Sequence, residues 1–377
     1  MNNSFDILIV GCGLSGIVIA ERFANILNKK VLIIDKRDHV GGNVYDYIDK
    51  ETNILVSKYG AHLFHTNNER VWEYINKFDK WVRWDHQVLG YVDDKLINIP
   101  VNINTVNTLC NENIQSSKEM DEWLEKNQIK YDNIDDSEKM GKSRVGEYLY
   151  DKIFKDYTYK QWNKYPNELD PSVLARIPIR NDHDNRYFND KYQALPKNGY
   201  SHFVNEILKN KNIEIKLNTD YFEFIKDHNK IYNFKTIIYT GPIDAFYADK
   251  GMEKLEYRSI EFVPERYQYM NYFQTNSVVN YPQYNVPFTR IVEYKHFLNQ
   301  KSDHTIIVKE YTKDEGEPYY PIPNKKNMEL YEKYKNLTIN EKDVHFLGRL
   351  ANYKYFNMDQ AILNSLEYFD KHFLASN

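Results

Sequence analysis

Asp6-Ile7-Leu8-Ile9-Val10-Gly11-Cys12-Gly13-Leu14-Ser15-Gly16 begins as a short apolar run and breaks off into glycine. The run reads as a buried parallel strand. Ile17, Ala20, Phe23, Ala24 and Leu27 then recur at helical spacing, and Val31-Leu32-Ile33-Ile34 forms a second strand that ends at Asp35. Each part has a physical task. Gly11 permits the tight turn, Gly13 lets a pyrophosphate approach the backbone, and Gly16 lets helix and strand pack closely. The helix N-terminus offers free N–H groups and a positive dipole end to phosphate. Asp35, nineteen residues past Gly16, is placed to accept both hydroxyls of an adenosine ribose. Strand, glycines, helix, strand and acid together specify a dinucleotide fold.

NAD and FAD share this unit, and the next residues separate them. Lys36-Arg37-Asp38-His39-Val40-Gly41-Gly42-Asn43 carries a glycine pair just past the second strand. That pair resembles the flavoprotein extension of the amine-oxidase-like superfamily, in which the backbone follows the pyrophosphate and ribityl chain. The resemblance implies FAD, with Gly11, Gly13, Leu14, Gly16, Asp35, Lys36, Gly42 and Asn43 around it.

The far end of the chain returns to the cofactor. Val344-His345-Phe346-Leu347-Gly348-Arg349 reads as a strand running into glycine, and Met358, Ile362, Leu366 and Phe369 form one face of a terminal helix. A helix starting at Met358 presents its positive end to a flavin edge. Thr236-Ile237-Ile238-Tyr239-Thr240-Gly241-Pro242 is a further strand of the same sheet. Leu195-Pro196-Lys197-Asn198-Gly199-Tyr200 resembles the Pro-x-Gly-Gly segment of the superfamily, with Asn198 in place of its first glycine. The fold class expected is α/β: a discontinuous FAD-binding Rossmann-like parallel-sheet domain, joined to a helical domain and an antiparallel β-sheet domain. The FAD-binding unit takes residues 1–80, 196–245 and 338–377, the helical unit 101–180, and the antiparallel unit 81–100, 181–195 and 246–337. In the helical unit Trp123, Leu124, Tyr148, Leu149, Ile153 and Phe154 are the expected buried positions, and the polar stretch from Asn111 to Lys142 is solvated. Thr305-Ile306-Ile307-Val308-Lys309 is expected to alternate as an antiparallel strand.

Composition limits the partners. Across 377 residues, 42% hydrophobic content supports a sizeable core, while a formal net charge of −4 argues against nucleic acid or an anionic membrane. The apolar stretch Ile7–Ala20 is interrupted by three glycines and has no basic region before it, so it reads as neither a signal peptide nor a membrane span. Cys12 and Cys110 are the only cysteines, which implies no disulfide framework and a cytoplasmic setting. Tyrosine is so abundant, at 33 residues, that only tyrosines within a motif carry weight.

Lys58-Tyr59-Gly60-Ala61-His62-Leu63-Phe64-His65-Thr66-Asn67 contains a His-x-x-His spacing. No carboxylate or cysteine set completes a metal site, leaving a structural pair or contact with flavin or substrate. Here the resemblance becomes specific. The Gly60–Thr66 run, Tyr157-Thr158-Tyr159-Lys160-Gln161-Trp162, Arg176-Ile177-Pro178-Ile179-Arg180 and Tyr239-Thr240-Gly241-Pro242-Ile243-Asp244 resemble the bacterial-type, FAD-dependent UDP-galactopyranose mutases. So do Leu255-Glu256-Tyr257-Arg258-Ser259, Asn285-Val286-Pro287-Phe288-Thr289-Arg290, Glu317-Pro318-Tyr319-Tyr320-Pro321 and Gly348-Arg349-Leu350-Ala351-Asn352-Tyr353-Lys354-Tyr355, all in family order.

The resemblance implies an isomerase that interconverts UDP-galactopyranose and UDP-galactofuranose without net oxidation. In that family reduced FAD is the covalent catalyst: flavin N5 takes the anomeric carbon, UDP leaves, the ring opens and recloses, and UDP returns. Carried onto this chain, Arg176 (on a mobile loop) and Arg290 hold the diphosphate, and Tyr187, Tyr320 and Tyr355 add hydrogen bonds. Tyr157 and Trp162 line the nucleotide entrance. His62 lies beside the flavin, and Arg349 contacts flavin and pyrophosphate. A guanidinium fork suits phosphate, and both arginines sit in apolar or aromatic segments. The chain departs from the family at Asn357, where aspartate is frequent, at Phe356 in place of a tyrosine, and at His86, a substrate-side position that is often asparagine. These bear on the choice between Gal and GalNAc. A reductant such as NAD(P)H or a reductase is implied, as is a possible homodimer. Two rivals share the cofactor motif: an amine-oxidase-like FAD oxidoreductase and a catalytically silent flavin protein.

Overall fold

The computed structural model describes residues 5–228 and 234–374. Its central five-stranded parallel sheet runs in the order Ile213–Lys216, Val31–Ile34, Ile7–Val10, Thr236–Tyr239 and Val344–Phe346. Strands from both ends of the chain are therefore neighbours, and this parallel sheet is discontinuous in sequence. The strands Ile7–Val10 and Val31–Ile34 bury every residue because each face is covered. Ile7, Ile9, Val31 and Ile33 point into the main core with Ile17 and Phe23. Leu8, Val10, Leu32 and Ile34 point the other way, onto Tyr221, Phe224 and Tyr239. On the first face the helix Leu14–Ile26 packs against the terminal helix Met358–Phe369, with the rings of Phe23 and Phe369 edge-on at 5.3 Å.

A seven-stranded sheet forms the second layer, in the order Tyr320–Pro321, Tyr257–Tyr267, Thr305–Lys313, Arg290–Glu293, Val278–Asn280, Val88–Val92 and Lys95–Ile99. It is antiparallel except where Val278–Asn280 runs parallel to Val88–Val92, so the expected antiparallel sheet is in fact mixed. Thr305, Ile306, Ile307 and Val308 are all buried. The expected alternation fails there because the strand is covered on both faces. A three-stranded sheet of Phe64–Thr66, Tyr192–Pro196 and Trp81–Arg83 links the layers.

Between residues 103 and 175 the chain is helical, with Ile103–Cys110, Ser117–Asn127, Ser137–Leu149, Asp156–Trp162 and the short turn Ser172–Ala175. Leu149, Ile153 and Phe154 are buried, and Trp123 and Leu124 are half-buried. Tyr148 is not, at 49% exposed. The helix kinks at Gly146 (φ 79°, ψ 174°), which breaks the periodicity that would have carried Tyr148 inward. No helix among the described residues is long and apolar enough to cross a membrane.

Candidate active site

Two cavities meet at a common wall. The first, of about 380 Å³, lies at the C-terminal ends of the parallel strands, and Gly11, Gly13, Leu14, Asp35, Lys36, Gly42 and Asn43 line it. A Cβ on Gly13 would meet only Gly42 Cα, at 3.9 Å, so that backbone faces open space. Gly16 is absent from the lining. A Cβ there would stand 2.1 Å from the Gly11 carbonyl oxygen, so its bareness serves the approach of helix to strand. Among the described residues, no side chain caps the helix from Leu14 and no acid lies in its first turn, leaving its amides available to an anion.

Asp35 is fixed by its own backbone surroundings. Cys12 N–H donates to Oδ2 at 2.6 Å and Arg37 N–H to Oδ1 at 2.9 Å, which leaves further lone pairs for a diol. Arg37 itself reaches Glu317 at 2.5 Å and lies 4.2 Å over the Tyr59 ring, closing the cavity rim from a distant loop. These residues fit a dinucleotide. Sequence reasoning missed the Arg37–Glu317 contact, whose partners stand 280 positions apart with no local signal.

His62, Arg349, Asn357 and Met358 line both cavities and form the shared wall. His62 Nδ1 lies 2.8 Å from the Gly60 carbonyl, which can only accept, so Nδ1 carries the proton and Nε2 presents a lone pair. Burial pushes this imidazole down to about 4, and the nearby Arg349 and Arg290 add to the effect. His62 is therefore neutral at pH 7. Arg349 donates to the carbonyls of Tyr319 and Phe356, pinning the wall to two loops.

The second cavity, of about 420 Å³, gathers the remaining expected residues: Tyr157, Trp162, Arg176, Tyr187, Tyr320 and Tyr355, together with His86 and Arg290. Arg290 opens its strand, in register with Asn280 on one side and Glu310 on the other. Its Nε donates to Glu310 Oε2 at 2.7 Å. Glu310 is 2% exposed, and its Oε1 has no hydrogen-bond partner among the described residues. Arg176 follows the turn Ser172–Ala175 and lies 4.7 Å over the Tyr355 ring. Tyr355 stacks on Tyr320 at 5.4 Å, and Arg349 lies 5.1 Å from the Tyr355 ring. Burial alone would raise the Tyr355 phenol, but Arg176 and Arg349 outweigh it and hold it below the usual range. Tyr320 moves upward, through burial and the neighbouring Tyr355.

His86 is buried, accepts from Trp84 Nε1 at 3.4 Å, and is driven down to about 3 by burial, then by Arg290 and His65. The His-x-x-His pair divides. His65 pairs with Asp190 at 2.9 Å and stacks on Phe188 at 3.7 Å, while His62 binds the Gly60 carbonyl, though both line this cavity. Glu310, Asn280 and Asp190 also line this cavity, and sequence reasoning did not find them. Each lies in a stretch without a local motif and becomes a wall residue only through sheet register or loop packing. Two guanidiniums among phenols, beside a neutral histidine, make a receptor for a dianionic, hydroxyl-bearing ligand.

The family model described as UDP-galactopyranose mutase matches residues 152–355, and that of a NAD(P)-binding Rossmann-like domain matches 9–78. A probable UDP-galactopyranose mutase of Klebsiella pneumoniae is 38% identical, covering 100% of this chain and 96% of that protein. A UDP-galactopyranose mutase of Mycoplasma genitalium is 34% identical over 97% and 94%. A dTDP-fucopyranose mutase of Escherichia coli is 32% identical over 96% of each. In fold the chain resembles a crystal structure of reduced UDP-galactopyranose mutase, with TM-score 0.75 and 14% identity over 99% and 96% of the two chains.

Proposed function

Because this chain belongs to the UDP-galactopyranose mutase family, we propose that it interconverts UDP-galactopyranose and UDP-galactofuranose with reduced FAD in the glycine-lined cavity. The observation that carries this reading is the shared wall. A cavity holding Arg176 and Arg290 opens onto the same His62, Arg349, Asn357 and Met358 that close the dinucleotide cavity, so its ligand meets the cofactor there. When bound and reduced, FAD supplies a nucleophilic nitrogen, N5, for the anomeric carbon.

The protein's own residues hold and release. Arg176 and Arg290 stabilise the diphosphate as it gains charge, and confinement keeps it close enough to return. Glu310 compensates part of the Arg290 charge, which suits a grip that must loosen and re-form. Tyr355, drawn towards ionisation by two guanidiniums, is a strong hydrogen-bond donor to phosphate, and Tyr187 and Tyr320 stand beside it. Tyr157 and Trp162 bound the nucleotide end. His62 Nε2 can accept a hydrogen bond at the wall while the ring stays neutral. The same reading takes NAD(P)H or a reductase as electron source, a homodimer as the assembly, and the cytoplasm as the location, the last supported by two free cysteines. It also retains the three-unit division of the chain given above.

The decisive experiment incubates dithionite-reduced protein with UDP-galactofuranose and follows UDP-galactopyranose by chromatography, with dTDP-fucopyranose as a parallel substrate. Conversion confined to the reduced state supports the reading, and preference for the thymidine nucleotide would redirect it. Oxygen uptake with an amine would favour the oxidase, and a flavin spectrum without either activity the silent protein.

A further inference from the structure

Lys160 lies on the helix Asp156–Trp162, between the cavity residues Tyr157 and Trp162. Its ammonium shares three N–H donors among four carbonyl oxygens within hydrogen-bonding reach, that of Tyr281 and those of Gln283, Val286 and Phe288, the last three at 3.0, 3.0 and 2.9 Å. All four oxygens belong to one loop, residues 281–289, which joins the paired strands Val278–Asn280 and Arg290–Glu293. The loop curls on itself, Tyr281 N–H donating to Thr289 O at 2.8 Å and Val286 N–H to Gln283 O at 3.2 Å. Pro282 and Thr289 line the larger cavity, and Arg290 is the next residue.

Carbonyl oxygens that converge on one point repel each other unless a donor or cation lies between them. Here the lysine is that cation. The helix that carries it is itself fixed. Thr312 Oγ1 donates to the Lys160 carbonyl, and buried Arg258 donates from Nε to the Gln161 carbonyl at 3.0 Å. One end of the helix is thus tied to strands Tyr257–Tyr267 and Thr305–Lys313, and its side chain to the loop that leads into Arg290. Burial draws the ammonium down to about 8, against the pull of Asp156.

We infer that Lys160 is a positioning residue: its ammonium, ringed by four loop carbonyls, holds the 281–289 loop closed and so fixes Arg290 opposite Tyr157. The consequence for binding rests on the UDP-sugar reading of the cavity, whereas the closure of the loop does not.

The test uses the FAD-loaded protein with Lys160→Ala and with Lys160→Met, which keeps bulk without charge. Amide exchange in the 281–289 segment and UDP affinity by calorimetry are measured in both. Exchange at Tyr281 and Val286 should quicken and the UDP Kd rise about tenfold in each variant, with FAD content unchanged. In the alanine variant, methylammonium chloride should restore both, whereas tetramethylammonium chloride, which has no N–H, should restore neither. Wild-type exchange and affinity in Lys160→Met, or a loss in Lys160→Ala that no ammonium repairs, would overturn the inference. Quickened exchange, rescued by methylammonium, in a protein whose wild type does not bind UDP would support the hold on the loop and sink the UDP-sugar reading instead.

Discussion

Of the residues expected in the dinucleotide cavity, Gly11, Gly13, Leu14, Asp35, Lys36, Gly42 and Asn43 fall within 11–43 and only the shared wall of His62, Arg349 and Met358 comes from elsewhere, whereas the larger cavity draws all its expected residues from separate places between His62 and Met358. The first works chiefly through backbone: bare glycines, free helix amides, and an acid held by two neighbouring N–H groups. The second works through side chains whose charge is set by neighbours. Arg290 leans on Glu310, Tyr355 on Arg176 and Arg349, and His86 on its burial. Backbone cradles thus fail by steric blockage, and side-chain receptors by loss of charge or of a partner.

The largest expected effect breaks the first cavity. On the proposed reading of this cavity, Gly13→Val should abolish FAD binding while leaving a folded protein, since Gly42 Cα, at 3.9 Å, is all that its Cβ meets. Gly16→Val should instead cost the fold, because its Cβ would strike the Gly11 carbonyl. Absorbance of the bound flavin and a melting curve separate the two, and a yellow, fully loaded Gly13→Val would refute the contrast.

Next comes the charge centre of the second cavity. Arg290→Ala should retain FAD yet lose roughly 10²–10³-fold in turnover. It should also lose about 3 kcal/mol of stability, because it strands a carboxylate that is 2% exposed. Adding Glu310→Gln should recover the melting temperature and not the activity. Recovery of both would reduce Arg290 to a structural ion-pair partner.

Arg176 should matter less to stability, since it packs over the Tyr355 ring and is itself exposed. Arg176→Ala should raise KM about tenfold without altering the melting curve, and Arg176→Lys should restore only part, because an ammonium lacks the flat fork. Steady-state kinetics with UDP-galactofuranose decides this, full rescue by lysine being the adverse result.

The smallest effect is a pH dependence. His86 and His62 have folded values of about 3 and about 4, below the ordinary 6.5. Between those values and 6.5 the unfolded chain binds more protons, so stability rises with pH across that window and is lost on acidification. His86→Gln should flatten the fall in melting temperature between about pH 6.5 and 4. An unchanged slope would show that His86 is not the buried neutral group described.

Legibility followed the same division. Ile7–Asp35 could be read because strand, turn, helix and acid are adjacent in the chain and each residue type has one physical task there. Tyr148 could not, since a single backbone angle at Gly146 turned it outward. Thr305–Val308 misled because alternation presumes one wet face, and both are covered. Arg176, Arg290 and the tyrosines came from family motifs; no spacing would have paired Arg290 with Glu310 or Lys160 with its loop.

The amino-acid order by itself determined the nucleotide fold, through hydrophobic period and glycine placement, which act over a few residues. Tertiary structure alone decided which cation meets which carboxylate or carbonyl, which histidines stay neutral, and how two cavities come to share His62 and Arg349. Those outcomes depend on distance and burial in space, and electrostatic energy follows separation and local dielectric rather than sequence position.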